Sequence, residues 1–476
     1  MKPLLIGGAW VETASARPNV NPSNTAEVID TYAEAGEAEA TRAVAAAREA
    51  AHDWARSGIE TRHDILRRAS EALFARTDEI ARLLAREEGK TLAEAKAETT
   101  RAARIFAYFA GECLRATGER VASVRPGVEV EIDREPVGVV ALITPWNFPI
   151  AIPAWKLAPA LAYGNTVVLK PAELVPGCAW VLTEILHNAG LPEGVLNLVM
   201  GPGQRVGQRL LDDPGIDAIS FTGSQATGQR VAEASARHLR PCQLEMGGKN
   251  PLVILDDADL ETAVHCAAEG AFGSTGQRCT ASSRLIVTEG IHTRFIEALV
   301  ERMRRLRVGD ALDAETDMGP VANEAQLRQD IDYIEGARRE GGSLRFGGEP
   351  LRRTNPGHYL QPALITDTHP EMRINREEVF GPIASVIRVR DYEEALATAN
   401  ASAFGLTAGI CTTSLKHARH FRREAQAGMV MVNLPTAGVD YHVPFGGRKA
   451  SNLGPREQGA EARAFYTAVK TAYIGP

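Results

Sequence analysis

Six cysteines in 476 residues stand at positions 113, 178, 242, 266, 279 and 411, with no C-x-x-C pair. So few and so scattered, they provide neither a disulfide framework nor a cysteine-based zinc site, and no metal is expected. That usage fits a reducing compartment, and a cytoplasmic location is expected. No apolar run approaches the roughly 18 residues that cross a membrane. The apolar segment behind Met1-Lys2-Pro3 is too short for a signal peptide. Positive charge is not in excess either: 53 Lys and Arg stand against 60 Asp and Glu, a net charge of −7. No basic face for nucleic acid is implied. Repeats and low-complexity tracts are absent. So is a G-x-G-x-x-G after the first strand of the α/β pattern, and with it the common dinucleotide fingerprint. What remains is an ordinary globular composition, 44% apolar and 24% charged, with length for roughly three domains.

Three long helices are predicted over 36–57, 61–88 and 92–116. In the second, Leu66, Ala69, Leu73, Ile80 and Leu84 recur at helical spacing. Over 119–136 the period changes to two. Val128, Val130 and Ile132 alternate with Glu129, Glu131 and Asp133, the pattern of a half-buried strand, and the last segment, Ala464 to Ile474, is also strand-like. From Val137 short apolar runs alternate with helices. Strands are expected at 137–143, 166–169, 195–199, 218–221 and 242–246, with helices at 151–163, 176–189, 204–212 and 225–238. This alternation gives a parallel, doubly wound sheet, which binds ligands beyond the carboxyl ends of its strands. A second α/β region follows Pro251, with strands at 252–255, 284–287 and 384–388 and helices at 259–271, 291–307 and 324–340. The Gly/Pro-rich stretch 343–361 is expected to be a surface excursion.

The stretch that organises the chemistry is Phe272-Gly273-Ser274-Thr275-Gly276-Gln277-Arg278-Cys279-Thr280. Its two glycines permit backbone conformations closed to other residues. Cys279 ends the turn with a cation directly before it, which is expected to favour thiolate over thiol and so attack on a carbonyl. Two further motifs accompany it, Glu245-Met246-Gly247-Gly248-Lys249-Asn250-Pro251 and Thr144-Pro145-Trp146-Asn147-Phe148-Pro149. Together the three resemble the aldehyde dehydrogenase superfamily from about Trp10 to the C-terminus. More particular still are the stretches 276–284 and 431–447, which resemble the α-ketoglutaric semialdehyde (2,5-dioxopentanoate) dehydrogenases.

The resemblance implies an aldehyde dehydrogenase-like α/β fold. Its NAD(P)-binding domain would comprise 1–117 and 137–248, its catalytic domain 249–446, and its β oligomerisation segments 118–136 and 447–476. A homodimer or homotetramer follows, with a small-molecule aldehyde as the partner. The implied reaction is oxidation of an aldehyde to a carboxylate through a cysteine thioester. Cys279 would be the nucleophile, Asn147 and the Cys279 main-chain N–H the oxyanion donors, and Glu245 the base that activates water. The cofactor is expected to be NAD, with NADP possible. Phe221, Gly223 and Ser224 match the family's pyrophosphate turn at a helix N-terminus, and Thr144, Pro145 and Trp146 belong to the same cleft. Lys170 and Glu173 match the adenine-ribose positions, where a carboxylate repels a 2′-phosphate. Glu378 and Phe380 match the nicotinamide end. Glu457 matches a second carboxylate sometimes given a proton-relay role, although Pro455 departs from the commoner form of that motif. Phe148, Trp155, Ala437 and Gly438 match substrate positions. Arg278 is expected to hold the distal carboxylate of α-ketoglutaric semialdehyde. Succinic semialdehyde, or another short ω-carboxylated aldehyde, is the alternative. Glu245 argues against a CoA-acylating relative, and the joint presence of Asn147, Glu245 and Cys279 against a structural protein of the same fold.

Overall fold

Short runs of Val, Leu, Ile and Thr that are buried on both faces build two mostly parallel sheets. The computed structural model describes residues 1–115 and 118–475. The expected helix end at 116 and domain limit at 117 lie outside the described residues. In the first sheet, five parallel strands run in the order Leu196–Leu198, Thr166–Lys170, Val139–Ile143, Ala218–Thr222 and Cys242–Glu245. Antiparallel pieces close both edges: Leu4–Ile6 with Ala9–Val11 on one side, Asn452–Leu453 on the other. The order reverses between Val139–Ile143 and Ala218–Thr222, so the crevice of a doubly wound sheet opens beyond Ile143 and Thr222.

The second sheet runs Ser343–Phe346, Ala363–Thr368, Ile383–Val389, Arg284–Thr288, Pro251–Ile254, Thr407–Cys411 and Met429–Val432. All its pairings are parallel except that of the first strand. A small antiparallel sheet joins Glu119–Ala122, Glu129–Pro136 and Thr467–Ile474, with all eight residues of the last strand in register. No helix among the described residues is long and apolar enough to cross a membrane.

Three expectations need correction. The stretch 61–88 is two helices, Ile59–Ala75 and Thr77–Glu88. Between them the Thr77 hydroxyl donates back to the Leu73 and Phe74 carbonyls, and Arg76 takes a non-helical ψ of 15°. The stretch 343–361 is not wholly an excursion. Ser343–Phe346 is an edge strand of the second sheet, with a register shift between Leu344 and Phe346 that hides it from a period-two reading. The first 35 residues, left unassigned, pair as strands, and Leu4 and Leu5 are buried at the sheet edge.

Candidate active site

The crevice is lined where the topology places it. A cavity of about 300 Å³ is walled by Pro145, Trp146 and Asn147 beyond one strand, by Thr222, Gly223 and Ser224 beyond the other, and by Cys279, Glu378 and Phe380 from the second sheet's half. Ser224 caps helix Gln225–Arg237, its Oγ accepting from the Thr227 N–H. The free N–H groups of that helix start face the Thr-Gly-Ser turn, a setting suited to a pyrophosphate. The turn is packed tightly: a Cβ on Gly228 would fall 2.4 Å from the Met246 sulfur. Phe221 does not line the cavity; its ring lies beneath Gly223 and props the turn. Thr144 is likewise buried behind it, its amide donating to the Lys170 carbonyl.

Lys170 and Glu173 lie apart from this cavity, at the end of strand Thr166–Lys170. Burial lowers the Lys170 ammonium to about 8, although Glu173 opposes the shift. Glu173 is not alone: Arg17, from the N-terminal hairpin, approaches its Oε2 at 3.4 Å. At the other end Glu378 accepts from the Gly248 N–H at 2.8 Å, and burial raises its carboxyl to about 7. The Phe380 ring meets Trp146 edge-on at 5.3 Å.

A second cavity, of about 550 Å³, approaches Cys279 from another side. Phe148, Trp155, Arg278, Ala437 and Gly438 all line it. Cys279 borders both cavities. The loop that carries it is strained: Ser274 and Thr275 hold left-handed φ angles of 48° and 56°, at about 1–2 kcal/mol each for residues with a Cβ. Gly276 is also left-handed, and a Cβ there would fall 2.2 Å from the Gly381 carbonyl. Glu94 holds the strained pair by accepting from the Ser274 N–H at 2.6 Å and from its hydroxyl at 3.2 Å.

Asn147 is 3% exposed, and its Nδ2 donates to the Gln277 carbonyl at 2.9 Å, which brings the amide beside the nucleophile loop. Its own carbonyl accepts from the buried Lys90 ammonium at 2.7 Å. Lys90 also donates to Glu98 at 2.7 Å, and the other Glu98 oxygen accepts from the Ile150 and Ala151 N–H groups. Glu245 lies in neither cavity. Its Oε1 accepts from Asn452 at 2.8 Å, and its Oε2 is buried without a partner. Burial, then the charge of Glu457, raises its carboxyl well above the usual range, while Lys156 opposes. Glu457 is itself bonded by the buried Lys156 ammonium.

Burial, with the charges of Glu378 and Glu245, pushes the Cys279 thiol up to about 12, against the attraction between its thiolate and the Arg278 guanidinium. That guanidinium lines the tunnel wall, where Nη2 donates to the Glu269 carbonyl.

A cysteine between a dinucleotide-shaped crevice and a tunnel lined by aromatic and charged side chains, with an amide and a carboxylate at hand, can accept a carbonyl carbon and later release an acyl group. The aldehyde dehydrogenase family model matches residues 10–472. The chain belongs to the aldehyde dehydrogenase family. This aldehyde dehydrogenase is 45% identical to α-ketoglutaric semialdehyde dehydrogenase of Bacillus subtilis strain 168, over 99% of the chain and 97% of the relative. To α-ketoglutarate semialdehyde dehydrogenase of Haloferax volcanii it is 44% identical, over 98% of each. A crystal structure of betaine aldehyde dehydrogenase from Staphylococcus aureus in complex with NAD+ superposes with a TM-score of 0.97 at 35% identity, covering 100% of this chain and 95% of that one.

Sequence reasoning missed several residues of this aldehyde dehydrogenase's site: Lys90, Glu98 and Arg101 on or beside helix Leu92–Cys113, Arg17 in the hairpin, Asn452 at the sheet edge, and the pairing of Lys156 with Glu457. A signal existed for the helix. Glu94, Glu98 and Arg101 share one of its faces with buried Ala95, Ala102 and Ile105 nearby, and polar residues interrupting an apolar helix mark a cavity wall.

Proposed function

We propose that this enzyme oxidises a short aldehyde bearing a distal carboxylate, with α-ketoglutaric semialdehyde as the substrate and 2-oxoglutarate as the product. The observation that carries the reading is the tunnel bordered by Cys279, whose lining includes three arginines, the exposed Arg104 and the half-buried Arg101 and Arg278, beside Phe148, Trp155 and Tyr441. The relatives named for this semialdehyde support it. Betaine aldehyde would bring a fixed cation to the same guanidinium groups, which is unfavourable. The turn 222–224, the carboxylate of Glu378 and the ring of Phe380 fit a nicotinamide dinucleotide, as in the relative crystallised with NAD+. Bound there, NAD supplies the hydride acceptor. Arg17 beside Glu173 offsets part of the carboxylate's repulsion, so NADP is a slower alternative.

In this reading the Cys279 thiolate adds to the aldehyde carbon. The oxyanion takes the second Asn147 amide hydrogen and the Cys279 N–H. Loss of hydride leaves a thioester on Cys279. Glu245 then leaves Asn452 and deprotonates a water, whose oxygen displaces the sulfur and releases the carboxylate. Self-association through strands Glu129–Pro136 and Thr467–Ile474, and a cytoplasmic location, complete the proposal. The test is NADH formation over a panel of α-ketoglutaric semialdehyde, succinic semialdehyde, betaine aldehyde and pentanal. The first should give the highest kcat/KM, Cys279→Ala should remove turnover, and Glu245→Gln should accumulate an acyl-enzyme visible by intact mass. A higher value on betaine aldehyde or pentanal would refute the substrate assignment.

A further inference from the structure

We infer that Arg101 is the second arm of a two-arginine clamp for the substrate's carboxylate, paired with Arg278. The inference rests on the reading above that the aldehyde is carboxylated. It adds a residue that neither motif carries, from the other half of the molecule: Arg101 lies on helix Leu92–Cys113, Arg278 in the nucleophile loop.

The two side chains share an unusual state. Both line the tunnel that Cys279 borders. Burial depresses both guanidinium groups from their ordinary range. Neither makes an ion pair with a carboxylate among the described residues, and in both the Nε is buried with no hydrogen-bond partner. Arg101 is nonetheless fixed. Nη1 donates to the Val439 carbonyl, Nη2 to Gln458 Oε1 at 3.0 Å, and the guanidinium lies 5.7 Å from the Trp155 ring centre. Glu98 and Asp440 act on Arg101, and Glu94 and Glu269 on Arg278, only through space and without an ion pair, so each planar fork is still open to a carboxylate, whose geometry it suits.

The acidic residues of the tunnel do not pair with either arginine. Glu94 is engaged by Thr91 and Ser274, and Glu98 by Lys90 and two backbone amides. Asp440 and Glu269 are exposed, where water and salt screen them. Both arginines are placed to take the carboxylate of a substrate held in this tunnel. A 2-oxo acid end, with three acceptor oxygens, gives each arm something to hold.

The alternative is that Arg101 only braces the loop at Val439. The two roles separate in the ratio of kcat/KM on α-ketoglutaric semialdehyde to that on pentanal, the neutral five-carbon aldehyde. Arg101→Met is expected to lose about ten- to hundredfold on the charged substrate, chiefly in KM, and far less on pentanal. Arg101→Lys should recover part of the loss. Equal losses on both aldehydes would overturn the clamp and leave the brace. A wild-type enzyme with no preference for the carboxylated aldehyde would overturn the substrate reading and the clamp with it. Wild-type preference retained by Arg101→Met would overturn the clamp alone. Should Arg101→Met fail to fold, Arg101→Gln serves, with protection of Cys279 from iodoacetamide by 2-oxoglutarate as the readout. Protection weakened about tenfold or more supports the clamp; protection equal to wild type overturns it.

Discussion

The Cys279 thiol sits where burial and the charges of Glu378 and Glu245 oppose its ionisation, and the Arg278 guanidinium before it bonds the Glu269 carbonyl. The sign of the pH dependence follows. With the thiol pushed up to about 12, the thiolate fraction grows across the whole accessible range. Alkylation of the cofactor-free enzyme by iodoacetamide should climb about tenfold per pH unit from pH 7 to 10, with no plateau. Glu378 is the largest charged contributor to that shift. Glu378→Gln removes its charge, lowers the thiol's pKa and should speed alkylation about three- to tenfold at pH 8. An unchanged rate would mean that burial alone sets the thiol. At this scale the sequence was legible where one motif holds one role: Cys279, Asn147, Phe148 and Trp155 stand where their motifs place them. It was not legible for Arg278. Its bond to the Glu269 carbonyl could not be read there, because a side chain's direction is set by backbone angles that one neighbour does not determine.

Helix Leu92–Cys113 is the element on which the site leans. Thr91 and Glu94 form a capping box at its start. Glu94 then holds the strained Ser274–Thr275 pair, and Glu98 joins Lys90 to the start of helix Ala151–Ala162. Lys90 is 1% exposed and sits among Glu88, Glu98 and the Asn147 carbonyl. Burial raises Glu88 to about 8, and the Lys90 charge opposes that rise. Lys90→Met leaves buried carboxylates without their cation and should cost about 3–5 kcal/mol of stability. The check is the urea midpoint; a shift equivalent to less than 1 kcal/mol would show the cluster to be already neutral. The helices and the ten predicted strands were readable from period and from apolar runs. The N-terminal strands and Ser343–Phe346 were not: Leu4–Ile6 and Ala9–Val11 are three residues each, too short to show a period, and register shifts break the pairing of Asn24–Ala33 and of Ser343–Phe346. Nor could periodicity show that this helix holds the start of helix Ala151–Ala162 and the nucleophile loop, since those contacts span 52 and 180 residues of sequence.

Across the molecule, the small sheet leaves Val121, Val469 and Tyr473 exposed on one of its faces. Such a face in a stable protein calls for a partner, and a second copy is the one proposed. Removal of residues 467–476 should therefore yield a monomer by sedimentation; a truncated chain that still assembles would place the interface elsewhere. The fold class was visible in the alternation of strands and helices, whereas the return of the C-terminus to the first sheet was not, because Asn452–Leu453 is two residues long. That return has a consequence for biosynthesis. Asn452 both seals the edge strand Cys242–Glu245 and holds the Glu245 carboxylate, 207 residues earlier in the chain. A nascent chain still on the ribosome can fold its cofactor crevice before the residue that orients its base has been translated. The resting position of the base is thus set later in synthesis than the crevice it serves.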